Sequence, residues 1–164
     1  MILLIDQGNS NIKWCLCKNG NLQPVYNGSL TVLKEYLKIH GSSISEVLIS
    51  SVKNEQQLES LTYLLKEIVL VPIQVANSGI EHQALKNGYK NYTQLGIDRW
   101  LAMIAAWADL QSGFIIVDAG SALTLDIVDA SGKHQGGHII PGLSMQKKSL
   151  LAQAERVNFE EDTD

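Results

Sequence analysis

Ile2-Leu3-Leu4-Ile5-Asp6-Gln7-Gly8-Asn9-Ser10-Asn11-Ile12-Lys13-Trp14 is a short apolar run that stops at a turn cluster and resumes with strand-like alternation, the pattern of a β-hairpin. The same plan returns as Phe114-Ile115-Ile116-Val117-Asp118-Ala119-Gly120-Ser121-Ala122-Leu123-Thr124-Leu125-Asp126. Each copy is an apolar strand, an Asp-x-Gly, a small polar residue and a second strand. Self-similarity at this spacing predicts two related halves that open with the same hairpin, 1–112 and 113–164. The second half is less than half as long as the first, so it is expected to be incomplete. The acidic stretch Glu160-Glu161-Asp162-Thr163-Asp164 is compatible either with a natural end or with a loop in a longer chain.

Between the two hairpins the pattern alternates. Leu22 to Leu30 is expected to form a third strand, with Thr31 capping a helix that carries Leu33, Tyr36 and Leu37. Val47 to Val52 reads as a strand, Asn54 to Ile68 as an amphipathic helix and Val71 to Ala76 as a strand, an α/β order. Asn77 to Gln94 is polar and irregular, long enough for a functional loop. A helix opens at Gly96 with Trp100, Ile104 and Trp107 inward and breaks at Ser112-Gly113. After the second hairpin, His134 to Ile140 ends at Pro141-Gly142, and Leu143 to Val157 reads as a helix with Leu150 and Leu151 inward.

Composition narrows the function classes. The 164 residues are 45% hydrophobic, enough for a core, and 13 Lys+Arg against 17 Asp+Glu give a charge of −4. That balance offers no basic surplus for a phosphate backbone, so nucleic acid is not an expected partner. Cys15 and Cys17, two residues apart on one strand face, are placed badly for a disulfide and imply a reducing compartment. Met1 to Ile5 lacks a basic leader and meets an acid at Asp6, so neither a signal peptide nor a membrane span is expected; the cytoplasm is.

The chemistry-bearing residues gather at the turns. In Asp6-x-Gly8-Asn9-Ser10 the glycine permits a bend after which main-chain N–H groups can face an anion, with Ser10, Asn11 and Lys13 as further donors. Asp6 would hold Mg²⁺ or its water shell, since Mg²⁺ prefers a carboxylate together with phosphate oxygens. An Asx-type turn without ligand explains one copy equally well; two copies facing one another across a cleft would make opposed phosphate clamps. Gly96-Ile97-Asp98-Arg99 places a carboxylate and a guanidinium in the first turn of a helix, where they could act as general base and anion binder or could simply complement the helix dipole. Tyr92 would line an acceptor pocket or anchor the loop. His134 and His138, separated by Gly136-Gly137, do not share a helical face and read as structural. No G-x-x-x-x-G-K-[ST] or G-x-G-x-x-G occurs, so a nucleotide would be held without a P-loop or Rossmann turn.

Asp6 to Lys13, Tyr92 followed by Gly96-Ile97-Asp98-Arg99, Asp118 to Thr124, and Gly136-Gly137-His138-Ile139-Ile140-Pro141-Gly142 together resemble the type III pantothenate kinases. The resemblance covers essentially the whole chain. It implies duplicated actin-like (ribonuclease H-like) domains, each a mixed sheet flanked by helices, of the acetate and sugar kinase, heat-shock chaperone and actin superfamily. The implied reaction is transfer of the ATP γ-phosphoryl group to pantothenate, the first step of coenzyme A synthesis, with Mg²⁺ and K⁺ or NH₄⁺. Carried over by position, Asp6, Gln7, Gly8, Asn9, Ser10, Asn11, Ile12, Lys13 and Ser121 resemble the ATP contacts, with Ser121 where the family usually has Thr. Asp98 resembles the proton acceptor, Tyr92, Gly96, Ile97, Asp98 and Arg99 the pantothenate contacts, and Asp118 the monovalent-cation ligand. A homodimer whose neighbouring subunit closes the acceptor pocket is also implied, as is a further C-terminal segment. Two other classes remain open: a nucleotide-binding regulatory accessory factor, and a phosphatase of the same superfamily in which water replaces the acceptor.

Overall fold

The computed structural model describes residues 1–153. Its contacts group into two compact units, one comprising Met1–Ile80 with Tyr89–Ala102, the other Glu81–Gly88 with Met103 onward.

The first unit is built on strands β1 (Ile2–Gln7) and β2 (Ile12–Lys18), antiparallel neighbours with Asp6 opposite Lys13 and Gln7 opposite Ile12. β3 (Asn21–Leu22) and β4 (Tyr26–Gly28) both pair with β2. The continuous strand expected over Leu22 to Leu30 is thus broken into two pieces. Leu22 lies opposite Cys17 and Tyr26 opposite Trp14, so this side has one residue more than its partner, a bulge placed where Pro24 has no N–H for the ladder. Helix α1 (Leu30–His40) follows, capped by Ser29 rather than the expected Thr31; the Ser29 side chain accepts from Val32 N–H while its own backbone stays extended. β5 (Glu46–Ser51) returns parallel to β1. Helix α2 (Glu55–Ile68) is capped by Asn54, whose Oδ1 lies 3.0 Å from Gln57 N, and leads to β6 (Ile73–Val75), parallel to β5. The result is a mixed sheet of order β3-β2-β1-β5-β6.

Period two divides its residues between two faces. Leu3 and Ile5, Trp14 and Leu16, and Val47 and Ile49 are buried with Leu33 and Leu37 of α1 and Leu61 and Leu65 of α2 in one apolar cluster. The opposite face carries Leu4, Asp6, Lys13, Cys15, Leu48 and Ser50, which line a cavity of about 450 Å³. Both cysteines are free thiols.

Within 77–94, expected to be irregular, β7 (Glu81–His82) and β8 (Leu85–Lys86) form a small hairpin with Gln83 at φ 54, and a single 3₁₀ turn spans Tyr92–Gln94. Helix α3 (Ile97–Leu110) buries Ile97, Trp100, Met103 and Trp107, at steps of three, three and four. Ile104, expected inward, is only half-buried because Met103 takes the centre of the stripe.

The second unit contains β9 (Phe114–Ala119), β10 (Ala122–Val128) and β11 (His134–Pro141), an antiparallel meander with β10 central, then helix α4 (Leu143–Gln153). The β7–β8 hairpin belongs here through Lys86 N–H, which donates to Gly132 O at 2.8 Å. A Cβ on Gly88 would lie 2.0 Å from the His134 carbonyl oxygen, so only glycine lets that segment pass. His134, fully buried, is hydrogen-bonded to the buried Asp126 at 2.8 Å, in keeping with the structural role expected for it. Leu150 and Leu151, expected inward, are 46% and 50% exposed. Lys147 lies three and four residues from them and interrupts the apolar stripe with a charge. The rest of the helix expected to reach Val157 lies outside the described residues.

Two outcomes follow from this packing. Leu61→Ala removes a fully buried side chain from the first core and should cost about 2–5 kcal/mol in urea unfolding. At the β10–β11 turn, Asp129 accepts hydrogen bonds first from the Ser131 side chain, then from Lys133 N–H, Ser131 N–H and Gln135, which lower its carboxyl pKa to about 2. With the folded value below the unfolded ~3.9, the turn's contribution is complete above that pH and fades as pH falls toward 2. A carboxyl NMR titration should find Asp129 near that low value, and Ser131→Ala should move it upward.

Candidate active site

The two Asp-x-Gly turns are alike in plan and different in length. In the first, Gln7 and Ile12 are the last paired residues, and Gly8 N–H donates to Asn11 O at 3.1 Å, closing a turn that leaves Asn9, Ser10 and Asn11 exposed. In the second, Ala119 pairs with Leu123 and Gly120 N–H donates to Ala122 O at 2.9 Å, a turn shorter by one residue. Asp6 faces Lys13 across its ladder, whereas Asp118 faces Thr124. Each carboxylate therefore sits one residue before its strand end, opposite a side chain that can donate a hydrogen bond.

Around the first turn, Asp6 and Lys13 point to the sheet face away from α1 and α2, and Gln7 and Ile12 point the other way. Ile12 is core. Gln7 is 4% exposed and committed: its Nε2 donates to Gln57 O at 3.2 Å, and its Oε1 accepts from Ser51 Oγ at 2.7 Å. These side chains hold the turn from beneath and leave Gly8 to Asn11 bordering a cavity of about 300 Å³. Lys53, for which no sequence motif speaks, also lines that cavity, with its Nζ 2.8 Å from Asn9 O.

At the second turn Ser121 and Asp118 are exposed. Gly142 N–H donates to Ser121 O at 3.1 Å, and a Cβ at that position would stand 2.6 Å from Gly120 O and 2.7 Å from Ser121 O. Pro141-Gly142 is thus packed on the turn's main chain, and glycine is required there by space.

Before α3, Tyr92, Gly96 and Ile97 line a cavity of about 590 Å³ together with Ala76, Ser78 and Lys53. Asp98 is exposed in the first turn of α3, with its Oδ1 2.8 Å from Arg99 N. The carboxylate folds back over Gly96, where a Cβ would come within 2.6 Å of Oδ1. Arg99 runs inward: it is 7% exposed, its Nη1 donates to Tyr89 Oη at 3.3 Å, and its guanidinium stands 5.9 Å from the centre of the Tyr89 ring. No short-range pattern pairs Tyr89 with Arg99, ten positions further on, beyond a 3₁₀ turn and at the start of α3. Asp98 and Arg99 do not pair through their side chains in the described bonds; each is held separately.

Among the described residues no three His, Cys, Asp or Glu side chains converge on a common point. A divalent ion at Asp6 would therefore complete its shell with phosphate oxygens and water, which suits Mg²⁺ chemistry and a site made by one carboxylate beside a phosphate turn. No helix among the described residues is long and apolar enough to cross a membrane.

Replacing Gly96 by Ala tests the seating of Asp98. The clash falls on the movable end of a side chain, so the unfolding midpoint should change little, while the Arg99 amide should lose its carboxylate partner and exchange faster with solvent. Unchanged Arg99 exchange would show that Asp98 is seated by something other than this contact.

A profile of the type III pantothenate kinases matches residues 2–163. The type III pantothenate kinase of Marinobacter nauticus is 38% identical over 164 residues, an alignment covering 98% of this chain and 67% of that protein. That of Pseudomonas paraeruginosa is 35% identical, over 98% of this chain and 66% of its own length. A solved structure from Campylobacter jejuni, described as a Baf family transcriptional activator, is 30% identical with a TM-score of 0.59, covering 96% of this chain and 63% of the other. The ethanolamine utilization protein EutJ of Carboxydothermus hydrogenoformans shares the fold at 14% identity and a TM-score of 0.50, covering 97% of this chain and 58% of that one. The chain spans about two thirds of the length of the curated relatives it matches. It belongs to the type III pantothenate kinase family, with the actin-like α/β fold.

Proposed function

Starting from that membership, we propose that the protein phosphorylates pantothenate to 4'-phosphopantothenate at the expense of ATP, the first step of coenzyme A biosynthesis. The observation that carries this reading is Asp98: an exposed carboxylate, seated by one N–H, directly after Gly96 and Ile97, which line a cavity with Tyr92 in the same unit as the Asp6 hairpin. Phosphoryl transfer asks for positioning and charge neutralisation more than for covalent chemistry. Asp98 accepts the proton of the attacking hydroxyl; with Oδ1 engaged by Arg99 N–H, Oδ2 is the oxygen left to take it. Lys13 and the turn from Gly8 to Asn11 receive the polyphosphate, and Ser121 contributes a hydroxyl from the second hairpin. Asp6 would hold Mg²⁺ and Asp118 would hold K⁺ or NH₄⁺, ions that would offset the charge of the phosphates. Tyr92 and Gly96 to Arg99 line the pantothenate site, Arg99 through the position that Tyr89 gives its helix turn. The same membership supports a cytoplasmic homodimer acting on small molecules, and the net charge of −4 offers no basic surplus for nucleic acid.

The likeness to the Campylobacter jejuni protein described as a transcriptional activator supports a second reading, a nucleotide-binding regulator. An exposed Asp98 favours the enzyme, because a regulator has no use for an acceptor carboxylate. ADP release that depends on pantothenate would establish the kinase; release without acceptor would indicate a phosphatase, and nucleotide binding with no release a regulator.

In the protein as encoded in its organism, Asp98→Asn should lower turnover by ~10²–10⁴-fold while ATP binding survives. Near wild-type turnover would remove the base assignment. Turnover should also require K⁺ or NH₄⁺, and Asp118→Ala should weaken that requirement. Equal rates in Na⁺-only and K⁺ buffers at saturating ATP and Mg²⁺ would contradict the cation role.

A further inference from the structure

Lys53 lines two cavities of the first unit, the one beside Gly8 to Asn11 and the one bordered by Tyr92, Gly96 and Ile97. Its main chain is tied to the first hairpin: Val52 N–H donates to Gln7 O at 3.2 Å, Lys53 N–H to Ser51 Oγ at 3.2 Å, and that hydroxyl in turn to Gln7 Oε1. Its ammonium is tied to the same hairpin through Asn9 O at 2.8 Å. Both ends of the residue are thus fixed to the turn, and the side chain is half-buried. No carboxylate pairs with it among the described residues. An ammonium has three donors, and one carbonyl leaves two of them for an anion. The bond to Asn9 O lies in the open, so water occupies the two remaining donors until an anion displaces it.

We propose that Lys53 binds the terminal phosphate of the nucleotide and follows it toward the acceptor. This rests on the kinase reading for the direction of travel, since a phosphate bound at the Gly8 to Asn11 turn and an acceptor bound beside Tyr92 leave the γ-phosphoryl group as the anion between them. The ammonium then neutralises the equatorial oxygens as the bond from the β,γ-bridging oxygen to phosphorus breaks and the acceptor oxygen takes its place, with the acceptor proton going to Asp98. Lys13 meets the nucleotide from the opposite sheet face, so the two lysines are not duplicates.

The test is calorimetric titration of the full-length natural protein and its Lys53→Met and Lys53→Arg variants with ATP and with ADP, each with Mg²⁺, alongside pantothenate-dependent ADP release. Methionine keeps the apolar stem and removes the charge. Lys53→Met should weaken ATP about tenfold and ADP less than about twofold, the scale of one lost charge-assisted bond, and should lower kcat; Lys53→Arg should recover most of both. Equal losses for ATP and ADP would make Lys53 a scaffold of the turn and overturn the proposal. So would unchanged nucleotide binding with only the pantothenate KM raised, which would assign the ammonium to the acceptor carboxylate. Wild-type protein that binds ATP but releases no ADP with pantothenate would sink the kinase reading, while the ATP-to-ADP comparison would still decide whether Lys53 meets the third phosphate.

Discussion

The structure of the first unit hangs on the register of β1. Leu3, Ile5 and Gln7 face α1 and α2, and Leu4 and Asp6 face the other way. A slip of one residue would bury the Asp6 carboxylate among leucines and throw Leu3 and Ile5 into water, so the apolar cluster enforces the position of the charged group. Gln7 secures the end of the strand. Buried and bonded to both Gln57 and Ser51, it joins the strand that delivers Asp6 to the helix and the strand that deliver Lys53. Core packing thereby becomes site geometry. The first turn is flanked by the buried Gln7 and Ile12, while Asn9 to Asn11 stay exposed.

The second hairpin reuses that plan with different support. Its turn is one residue shorter, the partner of its aspartate is a threonine, and Gly142 closes on its main chain. Asp6 stands opposite a cationic lysine and Asp118 opposite a neutral hydroxyl. Similar main-chain paths therefore offer different electrostatics.

The opening of α3 shows how a short motif divides its labour. Gly96 makes room for a carboxylate to fold back, Asp98 takes that room and the Arg99 N–H, and the Arg99 side chain leaves for the interior to meet Tyr89. A planar guanidinium can be buried here because Tyr89 supplies both a ring face and an oxygen. The neighbouring residue is thus exposed while the helix turn that carries it is anchored.

Much was legible in the sequence because it depends on local periodicity. Alternation in Ile2 to Trp14, the repeat at Phe114 and the leucine stripe of α2 are written within one or two turns of chain. Even the four motif segments could be recognised, since Asp-x-Gly turns and Gly-x-Asp-Arg are contiguous. Where local signals were weak or doubled, the reading erred. Ser29 and Thr31 are both good caps, and only the path of β4 into the helix selects Ser29; Pro24 splits a strand that propensity favours; Lys147 spoils a stripe that Leu150 and Leu151 suggest. Contacts between distant segments were decided by tertiary structure alone: Lys53 on Asn9 across 44 residues, Gln7 on Gln57 across 50, and Gly88 against His134. No short-range pattern encodes such pairs, because each depends on where several separately stable elements end in space, and that is settled by how their apolar faces pack.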